Sequence, residues 1–501
     1  MHELQLQALI FPTLISLSLL WFIAKWFYKP TADKNLPPSP QKLPILGNLH
    51  QLGSLPHQNL KSLAQKHGPI MLLHCGSVPV LVVSSADAAC EITKTHDISF
   101  ADRPEYKAFK KLLYNYKDVS FSPYGEYWRQ MKSIFVLQLL SHKRVQSLRH
   151  VREQETALFM ERILQESPGP VNLTKMLSEF TKDGICRSAI GRRYGESKRF
   201  LMLMTELMDL LGTISIADFI PWLSWVTRVN GFDKRVDKVF RGLDEFLEGV
   251  IREHVESPKR KVKTDGYGEN FLDILLQYYQ KENTSGVSID RDSIKALILD
   301  VFSAGTDTLS AVLEWVMAEL LRHPRAMEKL QNEVREIVKD KQDVTDDDLK
   351  RMHYLKTVIK ETLRCHPPLP LLIPRAARED VNVKGYDVKS GTIVMINVFA
   401  IGKDPAYWDE PEKFNPERFL NSSTDFKGLD FEFIPFGAGR RGCPAITFAV
   451  ATMEFVLANL VLKYDWELAD GAKGKDMDMT ERFGGTVRRA IPLLAVATQV
   501  K

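Results

Sequence analysis

Residues Leu4 to Ala24 are almost all apolar and carry no charge. About twenty such residues make a helix long enough to cross a bilayer core. Lys25, Lys29 and Lys34 follow the run, and Trp21, Trp26, Phe27 and Tyr28 lie at its edge. A basic flank marks the cytosolic side, so the bulk of the chain is expected to face the cytosol. Next comes a proline-dense stretch, Leu36-Pro37-Pro38-Ser39-Pro40 to Pro44, which predicts a stiff, non-helical spacer. Apolar runs on either side of Gly76-Ser77 predict a β-hairpin over Ile70 to Ser85.

Beyond the hairpin, helical spacing dominates. Ser122-Pro123 reads as a helix N-cap and first position. Arg291 to Arg322 is one long helical pattern, with an apolar stripe of Ile294, Leu297, Ile298, Val301 and Phe302, and it stops before His323-Pro324. Its middle, Ala304-Gly305-Thr306-Asp307-Thr308, is built of poor helix formers. Threonine hydroxyls can bond carbonyls one turn back and open the ladder, so something is expected to need room there. Tyr354 to Arg364 predicts another helix, with Glu361 and Arg364 on one face. The prolines of His366 to Arg375 predict an extended path. The pattern as a whole predicts a single, mainly α domain with a small β portion.

Composition narrows this little. The 501 residues are 44% hydrophobic and 26% charged, ordinary for a globular chain with a large core. A net charge of +4 does not point to nucleic acid. Five scattered cysteines without a C-x-x-C pair suggest neither a zinc site nor a disulfide framework, and fit a reducing compartment.

One cysteine stands apart. Cys443 ends the glycine-rich loop Pro435-Phe436-Gly437-Ala438-Gly439-Arg440-Arg441-Gly442, and an apolar helical run follows. With Pro444 at the first helical position, Cys443 is expected at a helix N-terminus beside Arg440 and Arg441. Those neighbours favour a thiolate, which is a good axial ligand for haem iron.

Phe436-x-x-Gly439-x-Arg441-x-Cys443 resembles the haem-ligand signature of the cytochrome P-450 family, with Ala445 where the family usually has glycine. Other motifs resemble the family in its order. Trp128 and Lys132 look like the element that meets a haem propionate, and Arg375 and Arg441 like further haem-binding positions. Ala304 to Thr308 looks like the A-G-x-D-T element, which implies that Thr308 serves oxygen and Asp307 relays protons. Glu361, Arg364 and Arg418 look like the family's structural network. Phe302, Ala304, Leu371, Leu372 and Gly485 fall where relatives line the substrate pocket. The finer pattern resembles plant microsomal members of the seventy-one clan.

The resemblance implies a P-450 fold with an anchor over 1–29, a hinge over 30–48 and a haem-thiolate catalytic domain over 49–501, on the endoplasmic reticulum membrane. It implies a monooxygenase that uses O2, haem (iron-protoporphyrin IX) and NADPH electrons. The electrons come from a separate reductase, with a cytochrome b-type donor as a second source, because no flavin or dinucleotide-binding unit is expected: the G-x-G-x-x-G spacing at Gly437 to Gly442 belongs to the cysteine loop and follows no predicted strand. Arg129 and Arg440 are candidate docking residues for that reductase. The substrate is a small apolar metabolite: a terpenoid, coumarin, phenylpropanoid or alkaloid. Two other functions remain open: a haem-thiolate isomerase or dehydratase that needs no O2, and a non-catalytic haem sensor or carrier.

Overall fold

A computed structural model describes residues 13, 16–18, 35–193, 198–213, 215–256, 269–280, 289–339, 341, 343–471 and 474–500. All but four residues of the expected anchor lie outside this set. The first residues of the hinge lie outside it too.

The molecule is organised around the helix Arg291–Arg322, 32 residues long. At 1.5 Å per residue it spans about 48 Å. Asp290 caps its start by accepting from the Ser293 amide at 2.8 Å. The helix carries more than one apolar stripe. Almost every residue from Ser293 to Val301 and from Leu309 to Leu321 is buried, so other elements cover it on all sides. Its polar members are satisfied inside the core; Thr174 Oγ1, for example, donates to Glu314 at 2.5 Å. Ala304, in the middle, is exposed. Its exposure is to interior space, since two adjoining cavities open onto it.

The helices Leu173–Ile190, His353–Cys365 and Ile446–Lys463 pack around the central one. On one flank lies a four-stranded sheet in the order Ile70–Cys75, Val78–Val83, Ile393–Ile396, Arg375–Ala376. The first two strands form the expected hairpin, antiparallel with Cys75 opposite Val78 and with Gly76 at φ 58° in the turn. Val78–Val83 runs parallel to Ile393–Ile396. The proline-dense segment docks on this sheet: the Leu72 amide donates to Pro38 O at 2.9 Å. A two-stranded hairpin, Glu481–Arg482 with Arg488–Arg489, carries the turn of residues 483–487.

Two helix starts differ from expectation. The helix expected from Ser122-Pro123 begins at Glu126, because Ser122 is buried and its carbonyl accepts from Arg441 instead. The last long helix begins at Ile446, so Pro444 sits in the preceding turn.

Candidate active site

The cysteine loop is shaped by two left-handed glycines, Gly437 (φ 70°) and Gly439 (φ 68°). A Cβ on Gly439 would lie 2.1 Å from Thr93 O, so only glycine fits there. The loop closes when the Cys443 amide donates to Phe436 O at 2.9 Å. The Ala445 amide points at Cys443 Sγ from 3.4 Å. The thiol itself is pushed up from its ordinary pKa, because burial outweighs the Ala445 amide and the nearby Lys132 charge. The expected help from the two arginines is absent. Arg440 turns away to Asp97, 2.9 Å distant. Arg441 donates to Ala101 O at 2.6 Å and Ser122 O at 2.5 Å.

Cys443 lines a cavity that Arg103, Lys132, Arg375 and Arg441 also line. Lys132 donates to Gly442 O at 2.9 Å and lies 5.5 Å from the Trp128 ring centre. Arg441 stacks on the same ring at 4.3 Å. The Trp128 indole N–H is committed to Val119 O at 3.0 Å. Trp128 therefore holds the cations in place and has no N–H to spare. Burial pulls Arg441 down to about 10, with Arg375 adding to the shift. Burial pulls Lys132 down to about 8, against the pull of Cys443. Arg103 is lowered by burial and then by Arg441 and Arg375. The Arg375 guanidinium is 3.1 Å from Asp97. Cations crowded in this way favour an anionic ligand.

Above the cysteine runs the middle of the central helix. Thr308 Oγ1 donates back to Ala304 O at 2.5 Å and faces this cavity. Asp307, one residue earlier and so about 100° round the helix, faces a different and polar cavity shared with Lys182, Arg482 and Arg488. Arg488 holds it at 2.6 Å. Phe302, expected to line the substrate pocket, also lies on that side and packs edge-on against Phe200 at 5.3 Å. The helical period explains the correction, since Ala304 and Thr308 share one face and Phe302 and Thr306 another. Ala304, Leu371, Leu372 and Gly485 do line a third, largely apolar cavity of about 260 Å³, which adjoins the one holding Cys443.

Behind the site, Glu361 receives Arg364 Nε and Nη2 at 2.7 Å each, Arg418 Nε at 3.0 Å and the Asn415 amide at 2.7 Å. Arg364 uses its other donors on Gly402 O and Pro411 O at 2.7 Å and Lys413 O at 3.0 Å. A buried carboxylate and guanidinium are thus both fully satisfied.

The family profile described as "Cytochrome P450" matches residues 37–493. The chain is a cytochrome P450. Cytochrome P450 71A8 of Mentha piperita is 57% identical over 506 residues, covering 100% of this chain and 98% of that protein. Norfluorocurarine oxidase of a Strychnos species is 48% identical, covering 99% and 100%. Tabersonine/lochnericine 19-hydroxylase of Catharanthus roseus is 48% identical, covering 98% and 97%. A zebra fish cytochrome P450 solved with abiraterone superposes with a TM-score of 0.76 at 25% identity, covering 89% of this chain and 100% of that one. This P450 is therefore of the plant seventy-one type, an oxidoreductase whose family binds haem iron through a cysteine thiolate.

The residues present fit that group. A buried thiol with an amide aimed at its sulfur lies at one wall, the walls are largely apolar, and four cations line the same cavity. A haem brings an iron for the first and two carboxylates for the last. Arg103 was missed by sequence reasoning. It donates to Ser120 O, Ile373 O and Pro374 O, at 2.8, 2.6 and 2.9 Å. Asp300 was missed too. It accepts from the Val119 amide at 2.6 Å and Ser120 Oγ at 2.7 Å, and burial raises it to about 6. The signal for Asp300 was a charged residue inside an otherwise apolar stretch; Arg103, between Asp102 and Pro104-Glu105, carried no such signal.

Proposed function

We propose that this P450 is a membrane-anchored haem-thiolate monooxygenase that puts one oxygen atom of O2 into a small apolar plant metabolite. The terpenoid, coumarin, phenylpropanoid and alkaloid classes fit the apolar cavity. Electrons come from NADPH through a separate reductase, with a cytochrome b-type donor as a second source. Cys443 would supply the thiolate to the haem iron, and Arg103, Trp128, Lys132, Arg375 and Arg441 would hold the haem carboxylates directly or through their neighbours. When bound, the haem supplies O2 activation, which consumes two electrons and two protons and releases the second oxygen as water. Asp307 exchanges its proton with the polar cavity, and Thr308 Oγ1 is the last donor on the substrate side. Ala304, Leu371, Leu372 and Gly485 exclude water and orient the substrate. Glu361, Arg364 and Arg418 lock the loop 402–418 behind the site.

The anchor spans 1–29, the hinge 30–48 and the catalytic domain 49–501, on the cytosolic face of the endoplasmic reticulum. Exposed Leu43, Ile45 and Leu46 support contact with lipid, as do exposed Trp222 and Trp225. The hairpin turn brings the two segments together, with Gly76 bonded to Leu46 O and Ser77 to Phe219 O. The named hydroxylase and oxidase relatives favour oxygen insertion over the isomerase and carrier alternatives.

The observation that carries this reading is Cys443 lining one cavity with four cations, Arg103 and Arg375 buried and Lys132 and Arg441 half-buried. The reduced protein under carbon monoxide is expected to show the red-shifted absorption of thiolate haem, and Cys443→Ser is expected to abolish it. An unaltered spectrum in the variant would refute the assignment.

A further inference from the structure

A chain of alternating imidazoles and carboxylates crosses the interior next to the substrate cavity. His57 Nε2 is 2.8 Å from Glu481 Oε2, and Gln58 Nε2 donates to the same oxygen at 2.6 Å. Glu481 Oε1 is 3.9 Å from His366 Nδ1, an ion-pair distance. His366 Nε2 is 2.6 Å from Glu319 Oε1, and His323 Nδ1 is 3.2 Å from Glu319 Oε2. The side chains of His57 and Glu319 are 0% and 4% exposed, and that of Glu481 is 8%. The His366 ring lies flat on Trp315, with centres 4.1 Å apart and planes 2° from parallel.

Each member sits at the root of a segment that lines the cavity. His57 follows Pro56, His366 precedes the Leu369–Pro374 stretch, and Glu481 starts the hairpin whose turn supplies Phe483 to Thr486. Glu319 is on the central helix, which does not move easily because it is buried all round. The turn has two further ties, Val487 N to Pro368 O at 2.9 Å and Trp315 Nε1 to Val487 O at 3.4 Å. Beyond these, charged groups that face the chain are Lys403, near His366, Arg322, near His323, and Arg489, which lies 5.9 Å over Trp315 and acts on Glu319.

We infer that Glu481 and His366 are positioning residues: they clamp the 483–486 turn to the central helix, and the clamp's charge state sets how firmly the turn is held as a contact surface for a ligand long enough to reach it. The inference rests on the haem site proposed above. Burial alone pushes the His366 imidazolium down, but Glu319 and Glu481 outweigh it and hold it above the usual imidazole range. Burial would raise Glu319, but His323 and His366 bring it to about 2. Glu481 is likewise held below the carboxylate range by His366 and His57, against burial. A raised imidazole contributes fully below its ordinary pKa and loses that contribution as pH rises through the raised one. The lowered carboxylates contribute above their ordinary range and lose that only in acid. The clamp is therefore closed near neutrality and loosens on the alkaline side.

Two azoles that bind haem iron distinguish this clamp from a passive core. Imidazole is too small to reach the turn; an imidazole carrying a two-ring aryl group extends along it. Both are titrated into the ferric full-length protein, and the ratio of their dissociation constants is followed through the absorption shift. Each dissociation constant is first corrected to the neutral azole with that probe's own pKa, because an aryl group lowers the basicity of the ring, and the ratio is taken of the corrected constants. From about pH 6 to about pH 9 the ratio of aryl to small probe is expected to worsen about tenfold. Glu481→Gln keeps the shape of the side chain but removes its charge, so it should show the worsened ratio at both pH values, with imidazole binding unchanged. A wild-type ratio flat across this range overturns the clamp and needs no variant. Glu481→Gln that folds and keeps the wild-type pH dependence overturns it as well. Absence of any absorption shift with either azole instead overturns the haem assignment, so the two failures are told apart.

Discussion

Asp307 and Thr308 are neighbours in sequence but open onto different spaces, the polar cavity with Arg488 for one and the cysteine cavity for the other. Thr308 Oγ1 can swing from Ala304 O to a ligand without breaking a backbone bond, because its present acceptor is already used by the helix. Thr308→Ala removes that hydroxyl and little else. The expected outcome is uncoupling: NADPH consumption persists, peroxide is released, and the yield of product per NADPH falls about tenfold or more. Thr308→Ser should restore most of the yield. Equal coupling in all three proteins would count against the relay. The residue types at 307, 308 and 443 were legible in sequence because their chemistry is local and rare. Arg103 was not, since its acceptors include carbonyls of Ile373 and Pro374 that only folding brings near. That Phe302 lines the polar cavity instead of the apolar one was hidden for a related reason. Periodicity groups residues by face, but does not say which face meets which cavity.

Among the elements, the helix His353–Cys365 shows how a weak sequence signal becomes a strong structural one. Glu and Arg three apart are usually a solvated surface pair of small value. Here both are fully buried and tied to the 402–418 segment. Glu361→Gln leaves Arg364 as a buried cation with too few acceptors. A loss of about 3–5 kcal/mol is expected, read as a lowered thermal midpoint with poor haem retention. A midpoint within a degree of wild type would show that the guanidinium finds other partners. The helix starts at Glu126 and Ile446 were harder to read. Ser122-Pro123 and Pro444 carry good start signals, yet the carbonyl of Ser122 was claimed by Arg441 and the Cys443 loop needed its own turn. Tertiary demands on a backbone group override local preference when the group is buried.

For the whole molecule, the proposed function has the reductase approach the face that carries the cysteine loop. Arg440 is a poor probe of that docking, because its guanidinium is 2.9 Å from Asp97 and its substitution would disturb Arg375 through the shared carboxylate. Arg129 is exposed, and its guanidinium lies by the Tyr124 side chain, 5.6 Å from the ring centre. Arg129→Glu is expected to lower reductase-driven turnover several-fold at low ionic strength, and less at high salt. Peroxide-driven turnover should stay at the wild-type level. Parallel loss of both activities would point to a damaged site rather than a weakened encounter.

The sequence by itself determined the family, the long central helix from Arg291 to Arg322, the hairpin at Gly76 and the identities of the thiol, the alcohol and the acid. These are matters of local backbone preference, apolar spacing and rare side-chain chemistry, all carried within a few residues. Only the tertiary structure decided that four cations surround one cavity, that Asp307 opens onto a different cavity from Thr308, and that His57, His366 and Glu319 meet Glu481. Such arrangements depend on segments hundreds of residues apart. Their energies come from burial and from the partners that remain once water is excluded, and neither quantity is written in any one stretch of the chain.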